Sequence, residues 1–324
     1  MNRIAIAACV AAAALLYVAV SSAQTFPSRP VRIIVPVTAG GLSDLLARQT
    51  AQELAKLWGQ QVIVENRPGS NTILAAETTA KAAPDGHTLM LTTPPAVSIN
   101  QFLFRKLPYD PERDLAPVFN IAYAPPVFIV GAGVPVTTLQ EFVALAKSKP
   151  GELAYGSFGI GSVAQIDIEV LSARAGMRMN HIPYKGIADV LPALVSGLIQ
   201  FGYAGIPPVL GLIRQGRIKA LAVGAPRRVA LLPGVPTLDE AGFPGLDLRG
   251  WFGIVAPAAT PRSIIDKIAS DLAQITGRPE FRDKSITGVG LEPMLQSPDQ
   301  FAEFLKQERA RNAQVIRTLN LTLD

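Results

Sequence analysis

Two short stretches carry the residue types that could hold a small anion. "TAGGLSD" (38–44) and "GSFGIGSVAQ" (156–165) each combine glycines with hydroxyl side chains, and each lies between an apolar run of strand length and a helical pattern. A strand that turns through glycine into a helix leaves a bowl of backbone N–H groups at the helix start, where the helix dipole also favours negative charge. The candidate contacts are Thr38, Ala39, Gly40, Gly41, Ser43 and Asp44 in the first stretch, with Ser157, Gly161 and Ser162 in the second. A nucleotide fits poorly, because glycines 156, 159 and 161 do not follow G-x-G-x-x-G and neither turn ends in the Lys of a P-loop. Taken singly, Ser43 and Ser162 serve equally well as helix caps, and Asp44 as a favourable first-turn acid. Taken together, two such turns facing one cleft suit a carboxylate ligand, each helix start contributing about 0.3 to 2 kcal/mol beside its N–H bonds.

Groups that attack or move protons are sparse. His87 and His181 are the two histidines, each at or inside a strand-like run, and a structural role is expected for both. No His, Cys or carboxylate cluster has metal-ligand spacing, and no G-x-S-x-G elbow occurs; no metal, no cofactor and no enzymatic activity are expected. The one cysteine, Cys9, lies in an apolar run (4–20) that follows Arg3 and ends in small residues. Residues 1–23 therefore read as a secretory signal peptide cleaved after Ala23, which leaves a mature chain without disulfides that must be held by burial. The net charge of +5 comes from scattered Lys and Arg, with no basic run interleaved with aromatics, so a nucleic-acid partner is not expected.

Stepping out from the turns, apolar runs alternate with helical patterns through most of the chain. Strands are expected at 31–37, 60–66 and 87–93, with helices near 43–58 and 72–82 between and after the first two. Strands that are apolar throughout read as the buried members of βαβ units. A proline-rich connection covers 106–118, and "APPVFIVGAG" (124–133) opens a second βα series that runs to about 226. The segment 227–250 is turn-rich, 251–260 reads as a strand, and two helices follow, near Pro261 and over 298–318. The expected fold is α/β and two-lobed, each lobe a mainly parallel sheet flanked by helices with a cleft between. Residues 24–123 plus 251–324 form domain 1, and 124–250 form domain 2.

Ordered stretches across nearly the whole mature chain resemble one family, the Bug-type periplasmic receptors of tripartite tricarboxylate transporters. They include "PSRPVRIIVPVTAGGLSDLLAR" (27–48), "VIVENRPGS" (62–70), "AAPDGHTLML" (82–91), "LPYDPERDLAPV" (107–118), "HIPYKG" (181–186), "LPGVPTLDEAGFPG" (232–245) and "WFGIVAPAATP" (251–261). The resemblance implies a two-lobed periplasmic binding protein, expected to be a monomer, that closes over a small carboxylate and delivers it to membrane permease subunits. It also implies ligand contacts from Gln165, at the end of the second stretch, from the loop after the third strand, with Thr92 and Thr93, and from a mouth around Tyr184 and Ala204. Departures from the family pattern remove donors: Pro94 and Pro95 have no N–H, Ala204 stands where an Asp is common, and Gln165 where a His is common. Asn71 and Thr72 replace glycines, and Phe158 adds an apolar face. A heavily hydroxylated or tricarboxylate ligand would leave polar groups unpaired at about 1 to 3 kcal/mol each. The expected cargo is a mono- or dicarboxylate with an apolar or aromatic body. A sensing receptor for a signalling partner is the alternative, with a secreted hydrolase or isomerase behind it. Lys185, between a proline turn and Gly186, is expected to be exposed rather than a ligand contact.

Overall fold

In a computed structural model the chain is described over residues 26–324, apart from 247, 249, 320, 322 and 324. The first apolar run forms β1 (Val31–Val35), in which every residue but Arg32 is buried. Parallel neighbours β2 (Val62–Asn66) and β3 (Thr88–Thr92) flank it, linked through α1 (Leu42–Trp58) and α2 (Ile73–Ala80). The sheet is completed by β4 (Leu115–Ala124), β10 (Gly250–Pro257) and β11 (Glu292–Gln296) in the order β11-β4-β10-β3-β1-β2, these three pairing antiparallel.

The second sheet has the order β7-β6-β8-β5-β9, built from β5 (Val127–Gly131), β6 (Ala154–Ser157), β7 (Asn180–Pro183), β8 (Phe201–Ala204) and β9 (Ile218–Val223). Strands β6, β7 and β8 run parallel, while β5 is antiparallel to both β8 and β9. Both sheets are thus mixed rather than mainly parallel: each keeps a three-stranded parallel group and adds strands on which the chain crosses between sheets or returns. The sheets stand in separate apolar cores, one around Ile33, Leu89 and Ile254, the other around Phe128, Phe142 and Phe201.

Strand β4 begins at Leu115, inside the end of the stretch read as a proline-rich connection. Pro117 pairs with Val255 beside a register shift, and β11 reaches only the Asn120–Tyr123 part of β4, so the Pro117 end has a neighbour on one side alone. A proline is tolerated at such a place. The helices flanking the second sheet are α4 (Leu139–Ser148), α5 (Val163–Ala175), α6 (Ile187–Ser196) and α7 (Pro207–Arg214). Glycines 176 and 197 end α5 and α6 in the left-handed conformation, which glycine adopts without steric cost. Helix α7 starts with two prolines, which in sequence resemble a turn but suit a first helical turn. After β10 come α8 (Arg262–Gly277), α9 (Pro279–Ser285) and the long α10 (Pro298–Leu319). Helix α10 reaches across the lobes: Ile316 packs with Ile99, Leu103 and the second-lobe Ile166 in one apolar seam.

Candidate functional site

The three parallel strands of each sheet deliver their carboxyl ends to loops that meet across the lobes, the place where open α/β sheets bind ligands. From the first lobe come the loops after β1, β2 and β3; from the second, those after β6, β7 and β8. Asn71 donates from Nδ2 to Gly161 O across the lobes at 3.0 Å. A Cβ built on Gly205, just past β8, would lie 3.7 Å from Leu42 Cδ2 at the start of α1.

The first loop is held from beneath by Asp44. One carboxylate oxygen accepts from Gly40 N–H and Arg48 Nε, both at 2.9 Å, and the other accepts from Asn66 Nδ2 at 2.9 Å. Asn66, the last residue of β2, also donates to Val37 O at 3.0 Å. Burial pushes the Asp44 carboxyl up, but Arg48, Gly40 N–H and Asn66 together hold it below the usual carboxylate range. This carboxylate is thus engaged within the loop. Thr38, Ala39 and Gly40 are exposed above it. The N-cap position of helix α1 is Gly41, with φ −79° and ψ 172°, and it makes no side-chain cap bond; among the described residues no other side chain is bonded to the first-turn N–H groups. Ser43 is buried and is not the cap. The first-turn N–H groups, which have no partner within a helix, are left for water or a ligand.

The loop after β3 is fixed by side chains from distant segments. Thr92 is fully buried, Thr93 is half-buried, and a wide turn over Pro95–Ile99 precedes the short helix α3 (Asn100–Leu103). Tyr109 OH donates to Ala96 O at 2.7 Å, Arg309 Nε to Val97 O at 3.0 Å, and Asn312 Nδ2 to Ser98 O at 3.3 Å. None of these supports was visible in local sequence spacing.

The second-lobe loop is closed on itself. Ser162 caps α5 by accepting from Gln165 N–H at 3.4 Å, and Gln165 Oε1 accepts from Gly161 N–H at 2.7 Å. Ser157, fully buried, accepts from Gly159 N–H at 3.2 Å, donates to Gly159 O at 3.0 Å and lies 2.6 Å from His181 Nε2. A hydroxyl has one proton and two acceptor sites, so all three contacts hold together when His181 carries its proton on Nε2. His181 stacks on Tyr155 at 5.0 Å between ring centroids, and burial pulls its pKa below 6.5. The Tyr155 hydroxyl, pushed up by burial and by Glu169, donates to that carboxylate.

Tyr184 donates its N–H to Ser157 O at 3.1 Å and packs against the second-lobe core. Ala204 is fully buried in that core, opposite Val127. Its Cβ reaches no solvent, and the residues just past it meet the first lobe instead: Gly205 faces Leu42, and a Cβ at Gly290 would lie 3.1 Å from Ile206 Cδ1. The Phe158 ring packs edge-on to Tyr203 at 6.0 Å and joins both second-lobe clusters, so this aromatic face is engaged in the lobe itself. Lys185 is exposed. The residues that local reading missed are Asn66, Asn100 and the His181 contact, each depending on a partner brought up by the sheet. The parallel register of β6 and β7, which pairs Tyr155 with His181, is what brings the last of these into place.

The family model described as the tripartite tricarboxylate transporter family receptor matches residues 46–321. The chain is 33% identical over 297 residues to protein BugT of Bordetella pertussis, covering 91% of each chain. Among solved structures, R. palustris Rpa4515 with adipate superposes with a TM-score of 0.86 at 33% identity, over 92% of this chain and 100% of that one. MatC from Rhodopseudomonas palustris with bound malate gives 0.81 at 31% identity, over 90% and 100%. By the extent of the family match and the identity to full-length relatives, the chain belongs to the tripartite tricarboxylate transporter receptor family.

Proposed function

We propose that the protein is a periplasmic solute-binding receptor that closes its two lobes over a small mono- or dicarboxylate and passes it to permease subunits. The observation that carries this reading is the open start of α1. Exposed residues 38 and 39 and a glycine cap with no side-chain cap bond leave first-turn donors and a positive helix end at the carboxyl edge of a parallel group. The solved relatives bound to adipate and malate support a carboxylate as the occupant. On this reading the lobes are the two sheets with their helices, exchanging at about 123–127 and 248–250.

The body of the cargo is apolar or aromatic. Pro94 and Pro95 offer no N–H, so the loop after β3 has fewer donors for a polar ligand. Leu45, Leu74 and Ile160, exposed by 41%, 43% and 51%, stand at the starts of α1 and α2 and in the loop before α5, along the same edge. Removal of the first 23 residues accompanies export, and the functional form is a monomer. Those residues lie outside the described part of the chain.

The test is calorimetric titration of the chain starting at Gln24 with straight-chain dicarboxylates, aromatic monocarboxylates, glutamate and citrate. Micromolar binding of a diacid or aryl acid, about −8 kcal/mol, is the expected result. Tighter binding of citrate would overturn the assignment of an apolar body. Recovery of the bound acid unchanged after long incubation is expected; turnover would replace the receptor reading with an enzymatic one.

A further inference from the structure

We infer that Asn71 is a positioning residue that latches the closed form and so sets the receptor's affinity, an inference that rests on the receptor reading. Its amide has two protons, and both are used: Nδ2 donates to Asn100 Oδ1 at 2.8 Å within the first lobe and to Gly161 O at 3.0 Å in the second. Asn100 Nδ2 returns a bond to Asn71 O at 2.8 Å, so the side chain is held in place by its own lobe before the other lobe arrives.

The backbone accepts strain to present this amide. Asn71 has φ 48° and Thr72 φ 74°, where glycine would sit without cost and a β-branched residue does not. Such strain persists where surrounding contacts over-determine the conformation, and it concentrates at ligand clamps and switch regions. The receiving side is shaped to match. Gly161 has its N–H bonded to Gln165 at 2.7 Å, and a Cβ in its place would stand 3.1 Å from Asn71 Nδ2 and 2.7 Å from Leu103 Cδ1. The seam of Ile99, Leu103, Ile166 and Ile316 also joins the lobes.

On opening, the Asn71–Gly161 bond is exchanged for bonds to water, so it shifts the closing equilibrium only by its net value, about threefold to tenfold. A ligand that binds the closed form feels the same factor, chiefly as faster dissociation when the latch is lost. Asn71→Gly removes the amide and fits the local φ. Asn71→Asp keeps the shape but turns a carboxylate oxygen toward Gly161 O, a larger opening push that protonation of the aspartate reverses.

The sequence's one cysteine is Cys9, so cysteines placed at Lys56 and Leu198, one exposed position per lobe, can carry paired spin labels on the chain starting at Gln24. The expected result in the ligand-free protein is a distance distribution shifted towards open in Asn71→Gly and further in Asn71→Asp, with the latter recovering at acid pH. With adipate as the probe, affinity falls threefold to tenfold in Asn71→Gly. Ligand-free distributions identical in the wild type and both variants would overturn the latch. Failure of the receptor reading looks different: adipate and the other acids bind none of the three proteins, while the distances still report whether Asn71 holds the lobes together.

Discussion

The loops at 38–44 and 156–165 look alike as sequence, each glycine-rich with a hydroxyl near a helix start, and they are built in opposite ways. The first is supported from below by a charged side chain, Asp44, and leaves its helix start uncapped. The second caps its own helix with Ser162, ties Gly161 N–H to Gln165 and fills the Ser157 hydroxyl with three contacts. Glycine and serine at a strand-to-helix turn therefore do not by themselves mark open donors; what decides is whether a side chain has already occupied them. On the proposed receptor reading, the first loop is the candidate anion jaw and the second, already bonded within itself, a preformed wall opposite it.

The strongest way to break this contrast is Asp44→Ala. It leaves Gly40 N–H and the Asn66 amide without their buried acceptor, and the expected loss is about 3 kcal/mol of stability in urea unfolding. Ligand affinity falls with it, because the exposed backbone at 38–40 loses its support. Retained stability would show that the loop is held by something other than this carboxylate. Next is Gly41→Asp. The φ and ψ at Gly41 suit any residue and a Cβ there meets nothing within 4 Å, so the new carboxylate can cap α1 from within. Stability is expected to rise by a few tenths of a kcal/mol while carboxylate affinity falls about tenfold or more. Unchanged affinity would move the anion away from this helix start. Ser162→Ala, on the already capped side, is expected to cost about 1 kcal/mol of stability and less than about threefold in affinity.

What could be read from the residues in order follows from what is local. The strands at 31–37 and 87–93 and helix α1 were legible because burial writes itself as apolar runs and helical spacing. Strand β4 was not, since Pro117 reads as a break until its one-sided position beside β11 is known. In the candidate site, the positions of both loops were legible, but their internal bonding was not. Gly41 rather than Ser43 caps α1, a choice of helix start that moves by two residues with no change in pattern. Asn71 stood out only as a non-glycine, because its partner is 90 residues away and is brought near by lobe packing. Likewise, nothing near Ser157 in sequence announces His181, which arrives through parallel pairing of neighbouring strands.

The smallest expected effect separates the two loops by pH. Asp44 has its folded pKa depressed below 3.8, so its contribution to stability is complete above that value and is lost only as pH falls through the folded pKa. His181 has its folded pKa depressed below 6.5 by burial, so the unfolded chain binds the proton first. Its contribution is therefore complete above about pH 6.5 and declines as pH falls from there towards the folded pKa. Mild acidification thus weakens the second loop while the first is still intact. In thermal unfolding between pH 7 and 5, the melting temperature of the wild type should fall more steeply than that of His181→Gln. Below pH 4 both proteins should fall together as Asp44 and other paired carboxylates protonate. Equal slopes between pH 7 and 5 would remove His181 from the acid response, and the preformed wall would then owe its shape to Ser162 and Gln165 alone.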